Sequence, residues 1–275
     1  MNRPFSQVDV FTAEPLLGNP VAVVHDADGL STEEMAAVAR WTNLSETAFL
    51  LPPRDPAADY RVRIFTPVAQ LPFAGHPTLG SAHAWLQAGG RPSGEGRLVQ
   101  ECGVGLVELV QEDRLAFAAP RLLRSGPAAP ELVAEIAEVL DLAIEDLEAV
   151  EWVDNGPGWV AALLADADAV LAARPRFSEL DLGLVGLHPP GSPAAIEVRA
   201  FFPKDRTLVE DPVTGSLNAS LGQWLLATGR LSAPYVAAQG TVLGRAGRVH
   251  VDRADDGRIW VGGDTVTVLE GTALL

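Results

Sequence analysis

The sequence predicts an α+β protein built from two similar domains, each a curved mixed or antiparallel sheet wrapped around one largely apolar helix. Three observations carry this expectation. Two segments 135 residues apart, His76-Pro77-Thr78-Leu79-Gly80-Ser81 and Asp211-Pro212-Val213-Thr214-Gly215-Ser216, share Pro, Gly and Ser at matched positions. Each leads into an apolar stretch with few polar residues, Ser81–Ala88 and Leu217–Ala227, of the kind that forms a helix buried on most sides. Each also follows a strand-like run ending in proline, and these runs, Val62-Arg63-Ile64-Phe65-Thr66-Pro67 and Val198-Arg199-Ala200-Phe201-Phe202-Pro203, align at an offset of 136. Repetition at so long a period means one structural unit used twice, a pseudo-two-fold internal repeat. This alignment sets a histidine in one copy against an aspartate in the other, and it places the expected chemistry in a cleft between the halves.

The elements follow in chain order. Val8, Val10 and Phe11, a turn at Gly18-Asn19-Pro20 and the run Val21–Val24 read as strand, turn, strand. Ser31-Thr32-Glu33-Glu34 has the spacing of a capping box and opens a helix through Trp41. Strands are expected at Phe49–Leu51 and Tyr60–Phe65, then the Ser81–Ala88 helix closed by Gly89-Gly90. Strands at Leu98–Gln100, Gly105–Val110 and Leu115–Ala118 complete the first domain, residues 1–120. The Pro-, Ala- and Gly-rich stretch Arg121–Pro130 reads as a linker. The second domain, 121–275, opens with helices at Pro130–Leu140 and near Glu145. It continues with a strand at Trp159–Leu164, a helix at Asp166–Ala173, the strand Ala195–Phe202 and the helix Leu217–Ala227. Four short strands, at Thr241–Leu243, Arg248–Asp252, Arg258–Val261 and Thr265–Leu269, end the chain, and its last residues are allowed to pack back on the first domain.

The 275 residues suffice for two ordinary cores, and apolar residues make up 48% without any run of membrane-spanning length. With no basic-then-apolar start over Met1–Val10, the expected location is cytoplasmic, without a membrane partner. A formal charge of −16 opposes binding to nucleic acid. Lys204 is the single lysine among 20 basic residues, so an anionic ligand cannot be held by a lysine cluster. Cys102 is the only cysteine, which excludes an internal disulfide and any two-thiol mechanism, and its setting reads as that of a small buried hydrophobe.

The helix starts supply an alternative anion site. Unpaired N–H groups and a partial positive charge gather there. Gly75, Gly80 and Gly215 admit close approach to the main chain, and Ser81 and Ser216 add hydroxyls. The bland alternative is that Asp211 and Ser216 cap a helix with Pro212 in its first turn. His76 reads as a loop residue entering a helix, able to donate to a substrate or shuttle a proton, whereas His25, His83, His188 and His250 read as structural. No pair of histidines has ligand spacing, so no metal is expected. Glu46, between a helix and an apolar strand, is either a partly buried carboxyl suited to proton transfer or a residue of a solvated turn.

Taken together, these motifs resemble the phenazine-biosynthesis PhzF-like isomerases, which share the diaminopimelate epimerase fold. The resemblance covers nearly the whole chain. It runs through Val8–Thr12, Gly18–Val23, Asn43–Phe49, Arg63–Pro67, Leu71–Thr78, Glu210–Ser216 and Gln239-Gly240. It implies a cofactor-independent isomerase acting on a small cyclic or unsaturated carboxylic acid, with Glu46 as the proton-transferring group. His76 and Asp211 then line the substrate site, and Gly75, Gly215, Ser216 and Asn19 bind substrate. A homodimer is also implied. Epimerases of this fold use two cysteines at the helix starts, which this chain lacks. The rival reading is a non-catalytic protein of the same fold that binds a small acid.

Overall fold

The computed structural model describes residues 1–94 and 96–275. The chain forms two compact units, one of Met1–Ala118 with Gly262–Leu275, the other of Ala119–Val261. In the first, strands β1 (Asn2–Val10) and β2 (Asn19–Val24) form an antiparallel hairpin. Helix α1 (Thr32–Thr42) then crosses over to β3 (Glu46–Leu51), which runs parallel to β2. The capping box closes as expected, Ser31 Oγ accepting from Glu34 N and Glu34 Oε2 from Ser31 N. β4 (Tyr60–Phe65) pairs antiparallel with β3 and with the short β5 (Gln70–Leu71). Helix α2 (Gly75–Gln87) follows, then β6 (Arg97–Cys102), parallel to β4, and the antiparallel β7 (Gly105–Gln111) and β8 (Leu115–Ala118).

The strands of this unit sort their side chains by face. Phe49, Leu51 and Phe65 pack with Met35 and Ala39 of α1 in one cluster. Helix α2 is buried over most of its length, from Gly75 to Ala82 and at Ala84. Gly80 is what lets the sheet close on it: a Cβ there would lie 2.3 Å from Val21 Cγ1. Cys102 ends β6 beside a tight turn and is partly buried, where the sequence reading expected a buried small hydrophobe.

The second unit repeats the order. The stretch expected to be a linker instead holds β9 (Arg124–Pro127), paired antiparallel with β10 (Leu147–Asp154) across helix α3 (Pro130–Leu140). β11 (Val160–Leu164) is antiparallel to β10, and helix α4 (Ala167–Ala172) crosses to β12 (Leu182–Leu187), parallel to β11. β13 (Ile196–Lys204) pairs with β12 and β14 (Thr207–Asp211), helix α5 (Gly215–Ala227) follows, and β15 (Tyr235–Gln239) runs parallel to β13. β16 (Gly247–Arg253) and β17 (Ile259–Gly263) come next. Thr241–Leu243 is a single 3-10 turn between glycines in left-handed conformation, not the expected strand. Val160, Val170, Leu182, Leu184 and Phe201 form the core between this sheet and helices α3 and α4.

The last strand, β18 (Thr265–Leu274), pairs antiparallel with β1 and belongs to the first unit. It does for β1 what β9 does for β10. The two units thus share one connectivity, but their register differs from the alignment read from sequence. α2 and α5 both have 13 residues and start at Gly75 and Gly215, 140 positions apart rather than 135. His76 is therefore the counterpart of Ser216, and Asp211 the counterpart of Leu71. Ser81, matched to Ser216 by sequence, lies fully buried deeper in α2 and not at its start.

Candidate active site

In the first unit, three predicted residues come together. Glu46 opens β3 with its side chain 15% exposed, and its Oε2 lies 3.3 Å from His76 Nε2. His76 is the second residue of α2, not a loop residue, and is 4% exposed. On the other side of the ring, Nδ1 lies 3.5 Å from Nδ2 of Asn19, a fully buried residue at the start of β2. Burial drives the imidazole pKa down to about 3, opposed only by a hydrogen bond to the Pro20 carbonyl. At neutral pH the His76 ring is thus uncharged, and its contact with Glu46 is not an ion pair. Gly75 starts the helix behind an Ala74 N-cap that has no side-chain acceptor.

In the second unit, Asp211 ends β14, four residues before α5. Its Oδ2 accepts from Thr214 Oγ1 at 2.6 Å. Thr214, not Asp211, stands at the N-cap position, its own side chain makes no capping bond, and Ser216 lies one residue inside the helix. Gln239 holds this corner. Its Oε1 accepts from Thr214 N and Asn218 Nδ2, and its Nε2 donates to Thr214 Oγ1 and the Asp211 carbonyl, at 2.8–3.2 Å. A fully buried amide with every donor and acceptor used locks its neighbours in one arrangement. The first unit has the parallel device, with Gln100 accepting from the Tyr60 hydroxyl and donating to Thr78 Oγ1.

Gly215 and Ser216 are the first residues of α5. Ser216 Oγ accepts from Trp159 Nε1 at 3.0 Å, and its carbonyl accepts from Asn155 Nδ2 at 2.9 Å. Reading of the sequence missed Asn155, Trp159 and the roles of Thr214 and Gln239. A signal existed: Asn155-Gly156-Pro157-Gly158 is a turn between β10 and β11, where the first unit has Gly18-Asn19-Pro20 leading into β2.

Three of the other histidines make contacts of a structural kind. His25 meets Ser6, His83 bridges Thr265 and Thr267, and His188 meets the buried Glu197. Among the described residues, no three His, Cys, Asp or Glu side chains converge as a metal site would require. No helix among them is long and apolar enough to cross a membrane.

Comparison with known proteins agrees in one direction. The family model for PhzC-PhzF, phenazine biosynthesis-like protein, matches residues 8–271. The chain is 34% identical to Antisense-enhancing sequence 1 of Schizosaccharomyces pombe, over 98% of each chain. It is also 34% identical to the trans-2,3-dihydro-3-hydroxyanthranilate isomerase of Pseudomonas fluorescens, again over 98% of both. The fold matches the crystal structure of a Bacillus anthracis phenazine biosynthesis protein of the PhzF family, with TM-score 0.84, 23% identity and complete coverage of both chains.

Proposed function

The chain belongs to the phenazine biosynthesis-like protein family and is an isomerase of that family, and on that premise we propose that it moves a proton within a small cyclic or unsaturated carboxylic acid. Glu46 is the group that takes the proton from carbon and returns one elsewhere. The observation that carries this reading is the approach of Glu46 Oε2 to within 3.3 Å of a neutral, buried His76. The neutral ring adds no positive charge beside the Glu46 carboxyl, which is largely closed off from water. His76 and Asp211 position the substrate and assist proton movement.

The acid's own charge has a place to go without lysine. Neither N-cap residue, Ala74 of α2 nor Thr214 of α5, makes a side-chain capping bond, and Gly75 and Gly215 put no side chain in the first turns. Helix N-terminal N–H groups stabilise a carboxylate or a developing oxyanion in an otherwise acidic protein. The substrate named for the P. fluorescens relative, a ring carrying a carboxylate, fits this class, and we adopt trans-2,3-dihydro-3-hydroxyanthranilate as the test acid.

E46Q tests the reading. The isostere keeps shape and binding but cannot take a proton, so conversion should fall by roughly 10²–10⁴-fold with affinity nearly unchanged. Wild-type activity in E46Q ends the proposal. In deuterated water, tight binding of the acid without C–H exchange by the wild type favours the non-catalytic reading instead. Because side chains alone move the proton, exhaustive chelation and dialysis should leave the rate unchanged. The homodimer belongs to this proposal too, and a single-chain mass by sedimentation at micromolar concentration counts against it.

A further inference from the structure

Trp159, the residue before β11, takes no part in the scheme above, yet it is 4% exposed and spends its indole N–H on Ser216. An indole is a donor only, whereas a serine hydroxyl has one proton and two lone pairs. The 3.0 Å bond from Trp159 Nε1 therefore fills a lone pair of Ser216 Oγ and leaves the hydroxyl proton to go elsewhere. The other side chains that bond Ser216, those of Asn155 and Ser220, both donate to its carbonyl, so no described residue takes that proton. Ser216 is thus held at two points, carbonyl and Oγ, from one turn. The turn is itself pinned: Asp154 Oδ1 accepts from Gly156 N at 2.7 Å and Gly158 N at 2.8 Å, and Val153 N donates to the Trp159 carbonyl at 3.0 Å. The first unit repeats the device. There the second residue of the helix is His76, and the Asn19 amide at the start of β2 approaches its ring at 3.5 Å. In each unit the turn leading into β2 or β11 sets the side chain at the second helical position.

We propose that Trp159 is a positioning residue: by filling a lone pair of Ser216 Oγ it commits the hydroxyl proton to the carboxylate of the bound acid. The inference rests on the isomerase reading and deepens it, since it says what prepares Ser216 to bind. Every contact it uses lies within the unit Ala119–Val261. Without the indole, the hydroxyl rotates and turns its proton to water or to its own backbone, and ordering it becomes a cost of binding. A hydroxyl that donates to a carboxylate is also polarised, which strengthens the bond it accepts from the indole. The carboxylate keeps its charge while the proton moves on carbon, so this contact supports substrate and transition state alike. Its loss therefore shows in KM rather than in kcat.

The experiment measures kcat and KM for wild type, W159F, S216A and the W159F/S216A double variant with trans-2,3-dihydro-3-hydroxyanthranilate. S216A should raise KM roughly ten- to a hundred-fold, as losing a hydrogen bond to a charged group does, and W159F about five- to twenty-fold, with kcat within about three-fold of wild type in both. In the S216A background, W159F should add less than about two-fold, because no hydroxyl is left to aim. Additive losses mean that Trp159 contributes packing alone, and they overturn the inference while leaving the isomerase reading intact. Wild-type KM in either single variant overturns it too. W159F removes part of a buried ring, so the Trp159 indole N–H resonance gives a second reading that does not depend on how that variant folds. The resonance should move upfield in S216A and downfield when wild type is titrated with anthranilate, and indifference to either change overturns the inference. Wild type that does not convert the dihydro acid counts against the isomerase reading, and the four proteins are then compared by calorimetric titration with anthranilate. The same non-additive weakening there supports the role of Trp159. Additive losses, or no binding by the wild type, overturn it.

Discussion

His76 shows how much one buried side chain can govern. Its ordinary value of 6.5 applies to the unfolded chain, whereas in the fold burial lowers it to about 3. Between those values the unfolded chain binds a proton that the fold refuses. Stability therefore rises with pH across this window and is lost as pH falls from about 6.5 towards 3. H76N removes the effect. The unfolding free energy of wild type relative to H76N should drop by about 1 kcal/mol for each pH unit below 6.5, read from urea denaturation at several pH values. A pH-independent difference would mean that the imidazole is protonated in the folded protein. The residue type and its Gly-Pro neighbours were legible in sequence, but the neutral state was not, because desolvation depends on what surrounds the ring.

At the scale of elements, the repeat is carried by matched arginines. Arg63 on β4 reaches Gln70 on β5, and Arg199 on β13 grips Glu210 on β14 with two bonds at 2.8–2.9 Å. Each ties the strand that leads into a central helix to its neighbour. The second pair is buried, with Arg199 and Glu210 side chains 4% and 10% exposed, and Arg199 also donates to the Val170 and Ala173 carbonyls. Removing one partner leaves a buried charge, so E210A should cost about 3–5 kcal/mol by urea denaturation. R63A, in the more exposed position, should cost less than about 1 kcal/mol. Equal losses would show that burial is not what separates the two pairs. Elements with a strong local signature were legible: the capped α1, the α3 helix opened by Pro130, and the alternating β4. β12 was not, since Leu182-Gly183-Leu184-Val185-Gly186-Leu187 is covered on both faces and has no polar alternation. β9 was hidden by its Pro and Gly, which local rules assign to a linker but which an antiparallel partner accommodates.

At the scale of the whole chain, the first unit is completed by the last residues. β18 pairs with β1 from Asn2↔Leu274 to Val10↔Thr265, with one register shift at Gln7/Val8. A chain ended after Gly263 leaves β1 without that neighbour. At about 0.5–1.5 kcal/mol per backbone hydrogen bond, several kcal/mol are lost, and the thermal midpoint should fall by about 10 °C or more. An unchanged midpoint would show that β18 adds little to the unit.

The sequence by itself determined that one unit is used twice, that each unit carries a buried helix, and which residues around Glu46, His76, Asp211 and Ser216 merited attention. Local patterns encode these because periodicity, capping and turn chemistry act within a few residues. Tertiary structure alone decided the register of the repeat, setting His76 opposite Ser216 in the comparison. Register depends on which strand meets which, and those partners are far apart in the chain, so no short-range pattern records them.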